Sequence, residues 1–463
     1  MPSALPVAVI GGGIAGLAAA LHLRRVLGPE RIVLIERERR LGGKIVSERV
    51  AGFVIEGGPD CFLAVKPGGV ELCRELGLED RLCGTNPLRR GSFIKRNGQL
   101  YRLPDGLTGL VPSHVTPLLR TAMLSIPGRL RAGLELFVAR RGDTGDESIR
   151  DFTTRRFGRE AYDWLVEPLL GGIFAGDGSL LSLAATFPQL RELEQTHGSV
   201  LRAMRRRVPG ARGTGSAFVT LATGLAEIVE AIEARLGNVT TGSPVVSLRG
   251  RAPEYRIALA DGRSIPARAV VCATPAFVTS ELIAPLDAEL AGELAAIPFV
   301  STATISLAYP AAALSRPLDG YGYLSPRAEG GPVVACTWTS TKFPSRAPGD
   351  AALVRLFVGR DGMEAVVFED DERLVKIARQ ELRHTIGITA GPTFWRVFRW
   401  AKGMPQYVMG HLDRVGRIEH CLARHPGLFL AGASYYGVGI PDCIESGRAA
   451  AGRALAFLAE RPE

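Results

Sequence analysis

The sequence predicts a mixed α/β and α+β fold, in which insertions interrupt a domain built on a parallel sheet. Two apolar runs typical of strands, residues 7–10 and 32–35, flank a segment of helical composition at residues 14–25, which is the pattern of a βαβ unit. Segments of helical periodicity fill much of residues 107–190, and strand-like runs dominate residues 300–358. The length of 463 residues agrees with about three domains.

The order of these elements along the chain makes the first domain discontinuous. Residues 215–275 return to α/β alternation, with one helix expected over residues 220–237, and a last strand-to-helix unit begins at Leu428. The predicted domains are a βαβ-based domain (1–85, 215–285 and 420–463), a mainly helical and basic domain (86–214), and a domain with a mixed sheet (286–419).

The net charge of +9 is concentrated in the predicted helical domain. Residues 86–141 carry ten basic side chains against two acidic ones, and the five arginines between Arg202 and Arg212 have no acidic residue among residues 195–225. Such patches favour an anionic partner, such as a carboxylate substrate or an anionic membrane surface. They carry no signature of a nucleic-acid recognition module, so we expect no nucleic-acid partner.

Cysteine usage and the N-terminus indicate a cytoplasmic protein. The seven cysteines are scattered and include no CxxC pair, which argues against a disulfide framework or a redox dithiol. Neither they nor the dispersed histidines have metal-ligand spacing, so no metal is expected. No basic segment followed by an apolar core begins the chain, so no leader peptide is predicted. The uncharged stretch 294–315 contains two prolines and five Ser or Thr residues, which favours a strand over a membrane span.

The clearest motif is the GGGIAG run at residues 11–16, which follows a strand and begins a helix. In this G-x-G-x-x-G pattern the first glycine permits a tight turn, the second lets the backbone approach a pyrophosphate, and the third packs the helix on the strand. Glu36 ends the second strand twenty positions after Gly16, where a carboxylate accepts ribose hydroxyls. These features predict a dinucleotide site formed by Gly11, Gly13, Ile14, Ala15, Gly16 and Glu36.

Three further segments extend this site. The run RERRLGGK (37–44) contains an R-x-G-G pattern, and the run EGGPD (56–60) resembles an E-x-G-P motif. Both are similar to segments of glutathione-reductase-like and amine-oxidase-like flavoproteins, as is the glycine-rich run GASYYGVGIPDC (432–443). The resemblance implies FAD as the cofactor. The further residues that it assigns to FAD are Arg37, Gly42, Gly43, Lys44, Gly57, Gly58, Pro59, Asp60, Val245, Thr274, Trp400, Ala433, Val438, Gly439 and Ile440.

Three longer runs narrow the resemblance. The runs GGIFAGDGSLLSLAATFPQL (171–190), RWAKGMPQYVMGHLDRV (399–415) and GVGIPDCIESG (437–447) resemble the oxygen-dependent, FAD-containing porphyrinogen oxidases of the amine-oxidase-like flavoproteins. With the N-terminal motifs, the resemblance spans essentially the whole chain. It implies a Rossmann-like FAD-binding domain, an inserted mixed-sheet substrate domain, and a helical domain that docks on a membrane.

The resemblance also implies the chemistry, a six-electron oxidation in haem biosynthesis. The substrate is protoporphyrinogen IX or coproporphyrinogen III, and the residues leave both open. In each of three rounds a meso carbon gives hydride to flavin N5 with loss of a pyrrole proton, and molecular oxygen reoxidises the flavin to yield H2O2. The resemblance further implies peripheral association with an anionic membrane, on the inner face of the plasma membrane, and hand-over of product to ferrochelatase.

No side-chain base is apparent, so the cofactor carries the chemistry and the protein supplies positioning and electrostatics. The resemblance places Gly172 in the pocket wall, where a side chain would intrude on the macrocycle. Its position also suits a glycine that breaks a helix, and Trp400 also suits an ordinary core residue. His411 follows the PQY run and is interpreted as structural.

A substrate edged with carboxylates requires basic groups at the mouth of an apolar cleft. In the family the propionate-binding arginine lies just before a strand, which here begins near Phe93, so the candidates are Arg89, Arg90 and Lys95, with Arg96 on the same strand. Residues 107–141 are both apolar and basic, which suits docking on an anionic membrane or a helical subdomain that faces its own core.

Two alternatives to a porphyrinogen oxidase stay open. One is an amine oxidase or carotenoid desaturase on the same fold, and the other is a flavin-binding scaffold without catalysis. An amine oxidase with covalently attached flavin would carry a cysteine inside its last glycine-rich segment, whereas Cys443 follows that segment here.

Overall fold

The structure, a computed structural model, describes residues 5–103, 107–108, 111–112, 121–143, 145–206, 216–315 and 317–461. Its first domain is centred on a five-stranded parallel sheet. From edge to edge the strands are Val239–Thr240, Ile32–Ile35, Val7–Ile10, Ala269–Cys272 and Leu428–Leu430. The three central strands are buried along their whole length, as the unbroken apolar runs of the sequence predict for a parallel sheet covered on both faces.

Two helices cover one face of this sheet, Ile14–Leu27 and Ile440–Glu460. Their backbones approach closely, since a Cβ on Gly447 would lie 2.1 Å from the carbonyl oxygen of Ala15. The other face packs on a three-stranded antiparallel sheet. Its strands are Val245–Arg251, Glu254–Leu259 and Ser264–Ala267.

A second, seven-stranded sheet forms the mixed-sheet domain. In order its strands are Phe394–Pro405, Phe299–Pro310, Ala351–Val358, Val333–Thr337, Gly322–Leu324, Phe93–Arg96 and Gln99–Arg102. The pair formed by the fifth and sixth strands is parallel, and the other pairs are antiparallel. The last two strands come from the region predicted to be mainly helical, so that region contributes to this sheet. The amphipathic helix Asp371–Ile386 packs its apolar side on the sheet.

The rest of the region 121–206 is helical around its own core. Its elements are the helices Ile126–Gly133, Ile149–Phe157, Arg159–Ala161, Glu167–Phe174, Leu183–Thr186, Pro188–His197 and Val200–Arg206, with the 3-10 turn Leu134–Phe137 and the π turn Tyr162–Val166. Parts of the predicted basic segments, including Arg120, Arg207 and Arg212, lie outside the described residues. Among the described helices, none combines the length and the apolar character that crossing a membrane requires.

The remaining elements connect these units. The helix predicted over residues 220–237 is shorter, because Gly224 adopts a φ of 106° between the strand Phe218–Leu221 and the helix Ala226–Glu233. The other strands are Ser47–Val50, Phe53–Glu56, Phe62–Leu63, Leu82–Gly84, Leu107–Thr108 and Val111–Pro112. The other α-helices are Pro67–Glu75, Ala276–Ile283, Ala288–Ala295, Thr339–Lys342 and His411–Leu422, and the other 3-10 turns are Pro29–Arg31, Glu79–Arg81, Ala311–Ala313, Arg327–Glu329, Pro344–Arg346 and Glu364–Phe368.

Candidate functional site

The GGGIAG loop has the geometry of a phosphate-binding turn. Gly11 adopts a φ of 106°, and a Cβ there would lie 3.0 Å from the carbonyl of Ala273. A Cβ on Gly16 would lie 1.9 Å from the carbonyl oxygen of Gly11, so this glycine is required for packing. A Cβ on Gly13 would meet no atom within 4 Å, and the helix that starts at Ile14 has no side-chain cap. The residues present therefore fit a diphosphate at this helix N-terminus.

Glu36 holds the loop that it is predicted to serve. Its Oε2 accepts a hydrogen bond from the Gly12 amide at 2.6 Å, and its Oε1 accepts one from the Glu38 amide at 2.8 Å. Each carboxylate oxygen keeps a further lone pair, so Glu36 still has the capacity to accept ribose hydroxyls. The neighbouring Arg37 is mostly exposed and pairs with Glu38 at 3.2 Å.

The LGGK turn lies directly on the GGGIAG loop. The Gly42 amide donates to the carbonyl of Gly12 at 2.8 Å, and a Cβ on Gly43 would lie 3.1 Å from the Cα of Gly13. Both turn glycines have positive φ, 101° at Gly42 and 56° at Gly43. The predicted diphosphate site is thus bordered by two glycine-rich backbones that side chains would separate.

Two segments distant in sequence complete the nucleotide end of the site. Ser243, two residues before Val245, donates its amide to the carbonyl of Glu36 at 3.0 Å. The Thr274 side chain contacts the first loop, since its Cγ2 would lie 3.1 Å from a Cβ on Gly11. The predicted positions Val245 and Thr274 therefore lie on segments that contact the nucleotide-binding loops.

The EGGPD motif is fixed to the seven-stranded sheet. The carbonyl of Gly57 accepts hydrogen bonds from Trp400 Nε1 at 2.9 Å and from Thr304 Oγ1 at 3.1 Å. A Cβ on Gly57 would lie 2.7 Å from the ring of Phe398, and one on Gly58 would lie 1.9 Å from the carbonyl oxygen of Lys44. Trp400, assigned to the cofactor from sequence, therefore positions the backbone of this motif.

Asp60 is part of a buried ion pair. Its carboxylate accepts from Lys342 Nζ at 2.9 Å and from Cys61 Sγ at 3.0 Å. Burial alone raises the pKa of Asp60, but the charges of Lys342 and Arg355 outweigh it and hold that pKa below its usual range. Burial also raises the pKa of Cys61 to about 12, so this thiol stays neutral. Asp60 therefore anchors the EGGPD motif to the protein by its hydrogen bonds to Lys342 and Cys61.

A tyrosine that sequence reasoning missed closes the last glycine-rich loop. Tyr407 Oη donates to the carbonyl of Ala433 at 2.7 Å and accepts from the Gly437 amide at 2.7 Å. His411 stacks on the Tyr407 ring with centroids 4.2 Å apart, and its Nε2 lies 2.9 Å from the carbonyl oxygen of Tyr435. Burial lowers the pKa of His411, which favours the neutral ring. These contacts agree with the structural interpretation of His411.

The helix that follows this loop begins beside the N-terminal motifs. Ile440 is its first residue, and the carboxylate of Asp442 caps it by accepting from the Gly439 amide at 3.2 Å. Asp442 also pairs with Lys66 at 2.6 Å. Burial raises the pKa of Cys443 to about 12, so its thiol is neutral and poorly nucleophilic. This environment argues against covalent attachment of a cofactor at Cys443.

Gly172 lies where the helical region meets both the sheet and the last loop. A Cβ on Gly172 would lie 3.1 Å from Leu324 Cδ2, and the strand of Leu324 pairs with Phe93–Arg96. The helix of Gly172 ends at Phe174, whose carbonyl accepts from Gln406 Nε2 at 2.8 Å. The predicted pocket-wall glycine and the predicted substrate strand therefore contact the same strand of the sheet.

The three basic candidates differ in the exposure of their side chains and in their ion-pair partners. The side chain of Arg89 is 46% exposed and pairs with Asp319 at 3.4 Å, and Arg90 is exposed. Lys95 is 13% exposed and pairs with Glu381 at 2.9 Å between the sheet and a helix. Because its ammonium already has a carboxylate partner, Lys95 is a weaker candidate than its sequence position suggests. Arg89 and Arg90 are exposed enough to bind a carboxylate of the substrate.

The loop before Arg89 contacts the residues that surround the EGGPD motif. The Asn86 amide donates to the carbonyl of Lys342 at 2.9 Å, and Lys342 is the residue that pairs with Asp60. Thr85 Oγ1 lies 2.8 Å from Tyr321 Oη. Lys342 therefore contacts both the predicted carboxylate-binding loop and the predicted cofactor motif, which are separated from it in sequence.

Comparison with known proteins agrees with this geometry. The model of the flavin containing amine oxidoreductase family matches residues 14–455. Coproporphyrinogen III oxidase from Bacillus subtilis (strain 168) is 35% identical over 98% of this chain and 98% of its own length. Protoporphyrinogen oxidase from Homo sapiens is 34% identical over 96% of this chain and 97% of its own length.

Solved structures show the same fold. A protein from Exiguobacterium sp. 255-15, provisionally assigned as a protoporphyrinogen oxidase, has a TM-score of 0.87 and 31% identity, with 99% of each chain covered. Cyclohexylamine oxidase from Brevibacterium oxydans IH-35A has a TM-score of 0.71 at 18% identity, with 99% of this chain and 100% of its own covered, so it shares the fold alone. The predicted fold class is confirmed. The chain belongs to the flavin-containing amine oxidoreductases, and within them to the group of the coproporphyrinogen III and protoporphyrinogen oxidases.

Proposed function

We propose that this chain oxidises a porphyrinogen in haem biosynthesis, with FAD as cofactor and molecular oxygen as electron acceptor. The observation that carries the proposal is the contact between the loop of Arg89 and the Lys342–Asp60 pair, which brings a candidate carboxylate-binding loop to a flavin motif. The relatives named for porphyrinogen oxidation, which match the chain over nearly its full length, support the same conclusion.

The backbone holds the cofactor in this proposal. The amides at the start of the first helix and the open approach at Gly13 bind the diphosphate, and Glu36 binds the ribose. Trp400 and Thr304 fix the Gly57 carbonyl, so the EGGPD motif has a defined position when FAD binds. FAD held there would supply the hydride acceptor and its reoxidation by oxygen.

Two features of the chain would select the substrate. Gly172 is exposed and presents no side chain beside Leu324, where a Cβ would lie 3.1 Å from Leu324 Cδ2, so a flat macrocycle can approach the backbone there. Arg89 and Arg90 supply guanidinium groups for its propionates. We expect Arg89→Ala and Arg90→Ala each to raise KM about tenfold with little change in kcat, because such contacts are made in the ground state and the transition state alike.

Arg424→Ala is the matched control for these arginines. The Arg424 side chain is also 46% exposed and also pairs with an aspartate, Asp287 at 2.8 Å, but it lies between the helix His411–Leu422 and the strand Leu428–Leu430. Its replacement should leave KM unchanged. Unaltered KM values in both the Arg89 and the Arg90 variants, with either porphyrinogen, would contradict the assignment.

The choice between the two porphyrinogens requires a direct measurement. Protoporphyrinogen IX carries two propionates and coproporphyrinogen III carries four, whereas the identities of 35% and 34% to their named oxidases do not separate them. Fluorescence-monitored oxidation of both compounds side by side gives kcat/KM for each. A porphyrin product from at least one supports the proposed function, and absence of product from both, with FAD bound, contradicts it.

We also propose that the helical region docks on an anionic membrane surface. Ile126 and Leu130 are 72% and 69% exposed and lie four positions apart, on one side of the helix Ile126–Gly133. Phe137, which is 83% exposed, ends the 3-10 turn that follows this helix. The cationic excess of this region suits anionic headgroups. Arg131 is excluded from such contact, because its guanidinium donates to the carbonyl oxygens of Arg155 and Arg156 at 2.8 and 3.1 Å.

A further inference from the structure

A buried charged cluster includes the two carboxylates of the EGGPD motif. It consists of Glu56, Asp60, Lys342, Arg346 and Arg355, and we call it the motif cluster. Arg346 is 0% exposed and Arg355 is 2% exposed, while the side chains of Lys342 and Asp60 are 13% and 15% exposed. Three cations face two carboxylates, so the cluster has an excess of positive charge where burial makes a charge costly.

Two of the three cations are paired within the cluster. Arg346 pairs with Glu56 at 2.9 Å, and Lys342 pairs with Asp60 at 2.9 Å. Arg355 forms no ion pair within 4 Å among the described residues, and it donates to the carbonyl oxygens of Gly57 and Gly58 instead. Its Nε is buried and has no hydrogen-bond partner in the same part of the chain. The excess charge is therefore located on the guanidinium that touches the EGGPD motif.

The place of Arg355 in the sheet does not require a cation, although its guanidinium holds the two motif carbonyls and lies 4.7 Å from the centroid of the Phe357 ring. It lies in the interior strand Ala351–Val358 of the seven-stranded sheet, whose neighbouring positions Val354 and Leu356 are buried apolar residues. An apolar side chain would satisfy the sheet there without the cost of burying an unpaired cation. The retained charge therefore points to an anionic group that the chain itself does not supply.

We propose that the motif cluster raises the reduction potential of the bound flavin, with Arg355 and Lys342 as the residues that set it. The inference rests on the proposed function, which places the flavin at the EGGPD motif. A reduced flavin carries negative charge that the oxidised form lacks, and a fixed positive charge nearby stabilises the anion preferentially. Because these side chains are already held in place by the protein, they stabilise that charge without reorganisation.

The test measures the midpoint potential of the flavin in the purified holoprotein by dye-coupled reductive titration. Arg355→Met and Lys342→Met should each shift the equilibrium at least about tenfold toward oxidised flavin, which is about 30 mV more negative for a two-electron couple. Arg355→Lys, which keeps the charge, should remain close to the parent. The matched control is Arg360→Met, since Arg360 is 1% exposed, pairs with Glu167 at 3.2 Å and also has an unpartnered Nε, but contacts neither glycine of the motif.

Parent-like potentials in both neutral variants would overturn the inference, as would an equal shift in Arg360→Met. If Arg355→Met fails to fold, the Lys342→Met value and the Arg355→Lys value decide the question. A parent protein that binds flavin, combined with unshifted variants, would overturn this inference alone. A parent that binds no flavin would overturn the proposed function together with it.

Discussion

Two buried charged clusters of this protein differ in how completely their charges are satisfied. The second one, which we call the helical cluster, joins Glu135, Asp143, Glu147 and Glu194 to Arg141, Arg155, Arg156 and Arg191. It contains equal numbers of cations and carboxylates, whereas the motif cluster has one cation in excess. Glu135 alone accepts from Arg156 at 2.7 Å, from Ser199 Oγ at 2.5 Å and from two backbone amides.

The two clusters also differ in their buried nitrogen atoms that lack a hydrogen-bond partner. In the helical cluster Arg156 Nε has no hydrogen-bond partner among the described residues, while in the motif cluster Arg346 Nε, Arg346 Nη1 and Arg355 Nε have none. The helical cluster, which is balanced in charge, connects helices that also pack around their own apolar core. An unbalanced cluster beside a ligand motif is retained at a cost to stability, which is typical of a functional site.

The largest effect should come from removing the centre of the helical cluster. Arg156→Met leaves Glu135 buried without its cation, whereas Glu194 keeps Arg155 and Arg191. The change should lower the free energy of unfolding by about 3–5 kcal/mol. Urea denaturation followed by circular dichroism measures this change. Arg150→Met, on the exposed side of the same helix with its side chain 54% exposed, should change it by less than about 0.5 kcal/mol. Equal stabilities of the two variants would show that the helical cluster does not hold the region together.

The second prediction separates loss of the cofactor from loss of the fold. Gly13→Val should yield folded protein with less than about a tenth of the parent's flavin, because its side chain enters the space in front of the helix N-terminus. Gly16→Val should fail to fold, since its Cβ would lie 1.9 Å from a carbonyl oxygen. Flavin absorbance per protein, with circular dichroism, measures both. Full flavin content in Gly13→Val would contradict the proposed phosphate site.

A smaller effect is expected at Glu36. Glu36→Ala removes the acceptor for two loop amides and the predicted ribose contact, so flavin affinity should fall by about 1–3 kcal/mol while the helical cluster is unaffected. Flavin release measured by ultrafiltration gives the affinity. Glu38→Ala, which removes a mostly exposed neighbour that pairs with Arg37, is the control. Indistinguishable affinities of the two variants would contradict the role of Glu36.

The smallest effect concerns the exposed surface of the helical region. Phe137→Ser combined with Leu130→Ser should reduce sedimentation with vesicles rich in anionic lipid several-fold, and should leave porphyrinogen oxidation in detergent-free buffer unchanged. Phe368→Ser is the control, because Phe368 is 63% exposed but lies in the mixed-sheet domain. Undiminished vesicle binding of the double variant would rule out this surface as the membrane contact.

The sequence predicted the parts of this molecule that local patterns determine. The strands at residues 7–10, 32–35 and 269–272 are confirmed, because unbroken apolar runs bounded by glycine and polar residues have few alternatives. The GGGIAG loop is predicted from its glycine spacing between a strand and a helix, whereas the last glycine-rich loop is indicated by the family resemblance. The strands Phe93–Arg96 and Gln99–Arg102 were placed with the helical region, since nothing local shows which sheet a strand joins.

The chemistry of the site depended on contacts that sequence does not contain. The partners of Lys95 and Arg96 are Glu381 and the ring of Trp164, at 2.9 and 4.5 Å, and these contacts make both residues weaker candidates for propionate binding. The Tyr407 hydroxyl, which closes the last glycine-rich loop, gave no signal apart from the PQY run. The motif cluster joins residues separated by almost 300 positions, so it could be found only in the folded chain.

The central claim, that the flavin of this protein takes electrons from a porphyrinogen, is tested most directly without oxygen. Purified holoprotein is mixed anaerobically with coproporphyrinogen III and, separately, with protoporphyrinogen IX, and the flavin absorbance near 450 nm is followed. We expect at least one of the two compounds to bleach the flavin absorbance while porphyrin fluorescence appears. The absorbance should recover when air is admitted. A yellow holoprotein whose absorbance is unchanged by both compounds would contradict it.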